Sequence, residues 1–299
     1  MISGNGYVLP VDKPCGPSSH DVVDRARRVW GERRVGHCGT LDPFASGLLV
    51  LCVGKVTRLA EYLGSVDKSY LATARLGVET ESHDTEGTVT ASSEDWRRLA
   101  PSRVEAALAE LTGELMQVPP RFSAKKIGGE RAYRRARRGE RVELAPVRVR
   151  VTRLEMASWD PPELTLRIDC STGTYVRALA RDLGRILSVG AHLTALRRIR
   201  SGAVDVSGAV GFDFLDDAEA VHRARMNPLA ALAHLPRVEA GAAEERELGF
   251  GRGVEVEALD DAEPGVVCVS RSGELVAVAE GERTESGRWR LRPRKVFPG

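Results

Sequence analysis

Residues 36–47 read Gly-His-Cys-Gly-Thr-Leu-Asp-Pro-Phe-Ala-Ser-Gly, and the one acid among them, Asp42, stands directly before Pro43. The proline disfavours the helical region for Asp42 and the glycines permit positive φ, so the stretch must turn. The apolar run at 48–53 that follows reads as a buried strand. Two chemistries fit a carboxylate placed there. It can cap backbone amides as an Asx turn, or it can stand at the mouth of a core strand as a nucleophile. Asp42 alone does not choose between them.

Two further groups have comparable settings. In Lys-Ser-Tyr-Leu-Ala-Thr-Ala-Arg-Leu at 68–76, Tyr70, Ala72, Ala74 and Leu76 share one face of a period-two strand, and their mostly small size leaves room for something to pack close. In Ser-Thr-Gly-Thr-Tyr-Val-Arg at 171–177 a strand turns into a helix. The apolar spacing Val176, Leu179, Ala180, Leu183, Ile186 and Leu187 puts Arg177 in its first turn. An arginine there usually makes a surface pair. The polar loop at 79–87 holds His83 and Asp84, two potential metal ligands without a third, which are assigned to solvent. That loop receives no role.

These groups need elements to hold them. Tyr7-Val8-Leu9 reads as a strand running into a fixed turn at 12–17, Asp-Lys-Pro-Cys-Gly-Pro, in which Lys13 either shapes the rim or meets a ligand. Ser18 and Ser19 offer a cap for a helix burying Val22, Val23, Ala26, Val29 and Trp30. A second amphipathic helix is expected from Gly54 to Gly64, and a third after a capping box formed by Ser102 and Glu105. Residues 121–141 carry nine Lys or Arg against Glu130 and Glu140, a local charge of +7, with Phe122, Tyr133 and Gly128-Gly129 among them. A solvated face is one reading; a lid that grips a phosphate backbone is the other, and counterion release makes such a cluster an efficient phosphate binder. From about residue 240 short strands alternate with turns, as in an all-β module, and Arg288, Arg290, Arg292 and Arg294 share one face of its last strand.

The chain has 299 residues, 42% of them hydrophobic, and a net charge of +2. That is enough to bury a good core, and two domains are expected, 1–235 and 236–299. The five cysteines are odd in number and lack ligand spacing, which argues against a disulfide framework or a zinc site and for a reducing cytoplasm. No apolar run approaches a membrane span.

Taken together, residues 36–47, Asp67-Lys68-Ser69-Tyr70, Gly173-Thr174-Tyr175-Val176-Arg177 with Ala191-His192-Leu193, and the opening turn at 12–19 resemble the signature blocks of the TruB family of tRNA pseudouridine synthases. The likeness runs from residue 6 to about 235, and the tail resembles a PUA domain. The resemblance implies an α/β fold: a mixed-sheet catalytic domain with flanking helices and the basic insertion as a lid, then a small PUA-like β-barrel. It implies isomerisation of the T-loop uridine at tRNA position 55, with tRNA as partner, no cofactor or metal, no obligatory protein partner and a monomeric enzyme. A guide-RNA-dependent relative and a non-catalytic tRNA chaperone are the alternatives. By the same mapping Asp42 is the nucleophile, Arg177 its cationic partner and Tyr70 the residue that stacks on uracil. His37 fills the stack left by the flipped base or is a turn histidine. Tyr175 and Leu196 are pocket walls or core, and Lys13, Arg134, Arg135, Arg137 and Arg138 contact the RNA.

Overall fold

The computed structural model describes residues 6–297 except 124, 128, 132–134, 136, 137, 139, 141–143 and 258–262. The chain forms two compact units. One takes residues up to 41, 48–66 and 201 onward; the other takes 42–47 and 67–200.

The first unit opens with β1 (Gly6–Lys13), whose Val8, Leu9 and Val11 are buried. Helix α1 (Ser19–Trp30) starts on a capping box, in which the Ser18 hydroxyl accepts from the Asp21 amide and the Asp21 carboxylate accepts from the Ser18 amide. Such a cap contributes about 1 kcal/mol. The helix buries Val22, Val23 and Ala26, but Val29, expected on that face, is exposed in the last turn before Gly31 ends the helix in left-handed conformation. Strand β2 (Val35–His37) pairs antiparallel with β3 (Ser46–Gly54). The expected helix after Gly54 is a 3-10 turn, Lys55–Leu59, continued by the short α2 (Ala60–Gly64).

The second unit is built on β4 (Lys68–Leu76), β5 (Gly113–Gln117), β6 (Val147–Asp160), β7 (Glu163–Cys170) and β8 (Ala191–Ser201). Their order is β8-β4-β7-β6-β5, with antiparallel pairing from β4 to β5. Ser46 and Gly47 run parallel to Arg197 and Arg198 of β8, so the sheet is mixed. Alternation holds in β7, where Leu164, Leu166, Ile168 and Cys170 are buried. Helix α3 (Pro101–Glu110) buries Val104, Ala107 and Leu108, yet the capping box predicted from Ser102 and Glu105 does not form. Pro101 takes the first helical position, where its missing N–H costs nothing, and moves the cap back to Ala100. Helix α4 (Val176–Leu187) begins where the sequence predicts, with Arg177 in its first turn.

After β8 the chain returns to the first unit, where β9 (Val210–Gly211) lies beside β1. It ends in a five-stranded sheet of β10 (Arg237–Glu239), β11 (Val254–Val256), β12 (Gly265–Arg271), β13 (Glu274–Arg283) and β14 (Trp289–Val296), ordered β10-β12-β13-β14-β11. Period two sorts its side chains between two cores. Cys268, Val278, Leu275 and Phe297 join Val56, Leu59, Tyr62 and the β3 residues Val50 and Cys52, while Val267, Val269, Ala277, Ala279 and Trp289 close a second core with Val238 and Leu248.

The arginine stripe of the last strand is not the open basic surface that its spacing suggests. Arg290 pairs with Glu255 at 2.8 Å, Arg292 with Glu282 at 2.8 Å and Arg294 with Glu280 at 2.6 Å, while Arg288 donates to the Glu255 carbonyl. Register places these acids on the flanking strands. The pairs are half-exposed, so each contributes at most about 1 kcal/mol.

Because Phe297 is buried against the N-terminal segments, Phe297→Ala is expected to lower stability by about 3–5 kcal/mol. Urea unfolding followed by circular dichroism measures it, and a loss below 1 kcal/mol would show that this contact does little.

Candidate active site

Arg177 is the point on which the second unit's polar residues converge. Its Nη2 lies 2.9 Å from Asp42 Oδ2 and donates to the Phe122 carbonyl at 2.9 Å. Its Nη1 lies 3.2 Å from Asp84 Oδ2 and donates to the Ser82 carbonyl at 3.1 Å. The side chain is only 6% exposed, so a permanently charged group has been taken out of water and met by two carboxylates and two carbonyls. Helix α4 sets its position, since the Tyr175 carbonyl accepts from the amides of Ala178 and Leu179 at the helix start.

The two carboxylates are not equivalent. Asp84 is 2% exposed, and its Oδ1 accepts from the Ser82 hydroxyl and from the Glu86 amide at 3.0 Å. Asp42 is 37% exposed in the same guanidinium's field. Asp84 thus has its oxygens committed to the protein, and Asp42 keeps an accessible carboxylate. This corrects the assignment of the 79–87 loop to solvent. The loop is held by β8 and the residue before it: the Gly77 amide donates to Gly190, His192 Nδ1 donates to the Val78 carbonyl at 2.9 Å, and the Leu193 amide donates to His83. With those bonds made, Asp84 is carried under Arg177 and not into water. The sequence signal that could have revealed it is a second acid near a buried cation that one carboxylate alone does not surround.

Tyr70 is buried in β4. Burial pushes its phenol up, the Arg198 guanidinium partly offsets that, and the Asp42 charge adds to the rise, so the phenol keeps its proton at neutral pH. Tyr175, at the start of α4, is raised by burial as well. Leu196 is buried in β8. The structure therefore brings Asp42, Arg177, Tyr70, Tyr175 and Leu196 into one unit, and adds Asp84, which the sequence reading assigned to solvent, and the fully buried Arg198, which it gave no role.

The other predicted residues have different settings. His37 ends β2 and Lys13 ends β1, both in the first unit. Lys13 is fully buried, with its ammonium donating to the carbonyls of Pro14 and Pro17 at 2.8 Å each; in this structure it ties the opening turn together. Arg135 pairs with Glu140 at 2.7 Å, and Arg138 with Glu130 at 2.6 Å and with Glu140 at 2.7 Å. Arg134 and Arg137 lie outside the described residues.

Two measurements follow from this arrangement. Asp84→Ala leaves a buried guanidinium one carboxylate short and is expected to cost about 3–5 kcal/mol in urea unfolding. His83 sits beside the same cluster at a left-handed φ of 62°, and its imidazole is pushed down to about 4, first by burial and then by Arg181, Arg177 and Arg185. The unfolded chain binds this proton near pH 6.5 and the folded chain does not, so the contribution is complete above 6.5 and is lost as pH falls toward 4. The slope is at most about 1.4 kcal/mol per pH unit, and His83→Asn should flatten the dependence of stability on pH in that window. An unchanged profile would place the imidazole in water.

With this geometry in place, comparison with known proteins gives a consistent result. Residues 27–176 match the family model for the TruB family pseudouridylate synthase N-terminal domain, and residues 177–240 match that for the tRNA pseudouridylate synthase B C-terminal domain. The tRNA pseudouridine synthase B of Mycobacterium ulcerans (strain Agy99) is 42% identical over 290 residues, covering 95% of this chain and 94% of that one. The protein of the same name from Cutibacterium acnes (strain DSM 16379 / KPA171202) is 43% identical, with 95% and 96% covered. Among solved structures, a chain of an H/ACA RNP bound to a substrate RNA containing 2'-deoxyuridine has the same fold, with a TM-score of 0.77 at 23% identity and 98% of this chain and 85% of that one covered. The two family-model matches, which together run over residues 27–240, and relatives 42% and 43% identical over 95% of the chain make this protein a member of the TruB family of pseudouridylate synthases.

Proposed function

We propose that this chain converts the uridine at position 55 in the T-loop of tRNA to pseudouridine, with Asp42 as nucleophile. The observation that carries the reading is the half-exposed Asp42 carboxylate held 2.9 Å from a buried guanidinium whose other side is occupied by Asp84. The relatives named tRNA pseudouridine synthase B support tRNA as substrate.

Isomerisation breaks the bond from uracil N1 to C1′ and makes one from C5. The nucleophile must be ionised in a site that excludes water, where burial alone would favour the protonated acid. Arg177 opposes that, and its planar fork fixes the orientation of the carboxylate. Asp42 attacks the flipped nucleotide and is released again once C5, after the detached uracil turns, has bonded to C1′ in place of N1; the proton lost from C5 is balanced by the one that N1 gains, so substrate and product are isomers. Tyr70, protonated at neutral pH, stacks its ring on the base, with its hydroxyl available as a hydrogen-bond donor. Extracting the base from the T-loop costs a few kcal/mol, and His37 in the vacated stack would offset part of it. Tyr175 and Leu196 wall the pocket. The protein acts alone in the cytoplasm, and its grip on the T-loop assists tRNA folding beside catalysis.

Residues 121–141 and the C-terminal module 236–299 supply the remaining tRNA contacts. Among the described residues, Arg135, Arg138, Arg290, Arg292 and Arg294 are paired with glutamates at the surface, and such pairs are weak enough for phosphates to compete.

Asp42→Asn keeps the turn's acceptor and removes the nucleophile. It should bind a T-loop transcript within about twofold of wild type and form no pseudouridine in a single turnover. Wild-type turnover by this variant would exclude Asp42 as nucleophile. Replacing Arg134, Arg135, Arg137 and Arg138 with Gln should weaken binding and reduce the log-log salt slope by about 0.7 for each lost contact to single-stranded RNA. An unaltered slope would mean that the insertion faces solvent.

A further inference from the structure

Helix α4 carries Arg177 in its first turn, but its cap residue Tyr175 has no capping side chain of its own. Its backbone is gripped from elsewhere. Gln117, the last residue of β5, donates through Nε2 to the Tyr175 carbonyl at 3.2 Å and accepts from the Tyr175 amide through Oε1 at 2.8 Å. The orientation of the amide is compelled, since an N–H must face the oxygen and a carbonyl the NH2 group. Gln117 is 3% exposed, so both bonds are shielded from water. The Tyr175 carbonyl that Gln117 holds is also the one that starts the helix, accepting from Ala178 and Leu179.

We propose that Gln117 is a positioning residue that sets Arg177, and through it Asp42, by clamping both backbone groups of Tyr175. The inference rests on the reading of Asp42 as nucleophile and Arg177 as its partner. Two bonds to one residue fix the position and the rotation of the peptide that starts the helix; a single bond would leave the rotation free. The turn before it is supple, with Gly173 at a positive φ of 85°, so it cannot supply that restraint by itself. Arg177 is two residues further on, with a guanidinium that must meet Asp42, Asp84, Ser82 and Phe122 together. The four partners come from three separate loops, so a small rotation at Tyr175 cannot be absorbed by moving one of them. Gln117 is also where the chain leaves the sheet for the basic insertion, and the next residue's carbonyl, Val118, accepts from Arg181 one turn further along α4. The root of the insertion and the start of the helix are therefore one bonded unit.

A displacement of about 1 Å in a reacting group can lower a rate about 100-fold without affecting affinity. Gln117→Met and Gln117→Glu are to be compared with wild type in single-turnover pseudouridine formation and in filter binding to the same transcript, from pH 5.5 to 8, with melting temperatures recorded. The expected result is a rate loss of at least about tenfold at pH 8 in both variants, with affinity within about twofold. The glutamate variant adds a signature that a purely structural role would not give. Its carboxylate cannot donate to the Tyr175 carbonyl, but its protonated acid can, so its deficit should shrink to about threefold or less at pH 5.5 while that of the methionine variant stays constant. The inference is overturned by a wild-type rate in folded Gln117→Met, by rate and affinity falling in parallel, or by a Gln117→Glu deficit that is flat with pH. Should Gln117→Met not fold, the pH profile of Gln117→Glu decides by itself. Wild-type protein that forms no pseudouridine would count against the proposed reaction and not against the clamp.

Discussion

A guanidinium cannot lose its charge inside a protein, and the second unit is arranged around that fact. Arg177 is nearly buried and bound to Asp42, Asp84 and the carbonyls of Ser82 and Phe122. The four partners arrive on three stretches of backbone: the Asp42 loop, the 79–87 loop with both Ser82 and Asp84, and the segment leading out of β5. Removing any of them leaves charge or hydrogen-bonding capacity unmet in a low-dielectric setting, which is a costly state. The cation thus acts as a folding constraint first, and the placement of Asp42 is a by-product of satisfying it.

That division separates the settings of the two carboxylates: Asp84 is buried and Asp42 is partly exposed. Asp84 has the Ser82 hydroxyl and the Glu86 amide as further partners, so it is a fixed counter-charge. With Asp84 neutralising Arg177, Asp42 is oriented by the pair without being consumed by it. Arg198 stands in a similar relation to Tyr70, softening the effect of burial on a phenol that nevertheless stays protonated at neutral pH.

The positions of the candidate site residues were more legible in the sequence than the restraints behind them. Asp42, Tyr70 and Arg177 lie in compact motifs with turn residues and clear periodicity, and the strands and helices carrying them formed where spacing placed them. Asp84 was missed because a polar, turn-rich loop looks solvated until the β8 hydrogen bonds that draw it inward are known. The arginines of β14 were assigned to the correct face, but alternation gives the side of a strand and not its neighbour, so Glu280 and Glu282 became their partners only once register was known. The absent capping box on α3 is a local competition, won by Pro101. Gln117 gave no signal at all, because a buried amide on an edge strand has meaning only opposite the peptide it holds.

The first unit is assembled from three stretches interrupted by the two that make the second, and this matters for how the protein comes into being on the ribosome. Val56 and Leu59 share a core with Leu275 and Phe297, residues made well after them. At about 5–20 residues per second, the early strands wait for tens of seconds with an apolar face uncovered, while residues 67–200 can already fold as they appear. Val56 and Leu59 are therefore open to misassociation on the nascent chain until Leu275 and Phe297 emerge to cover them.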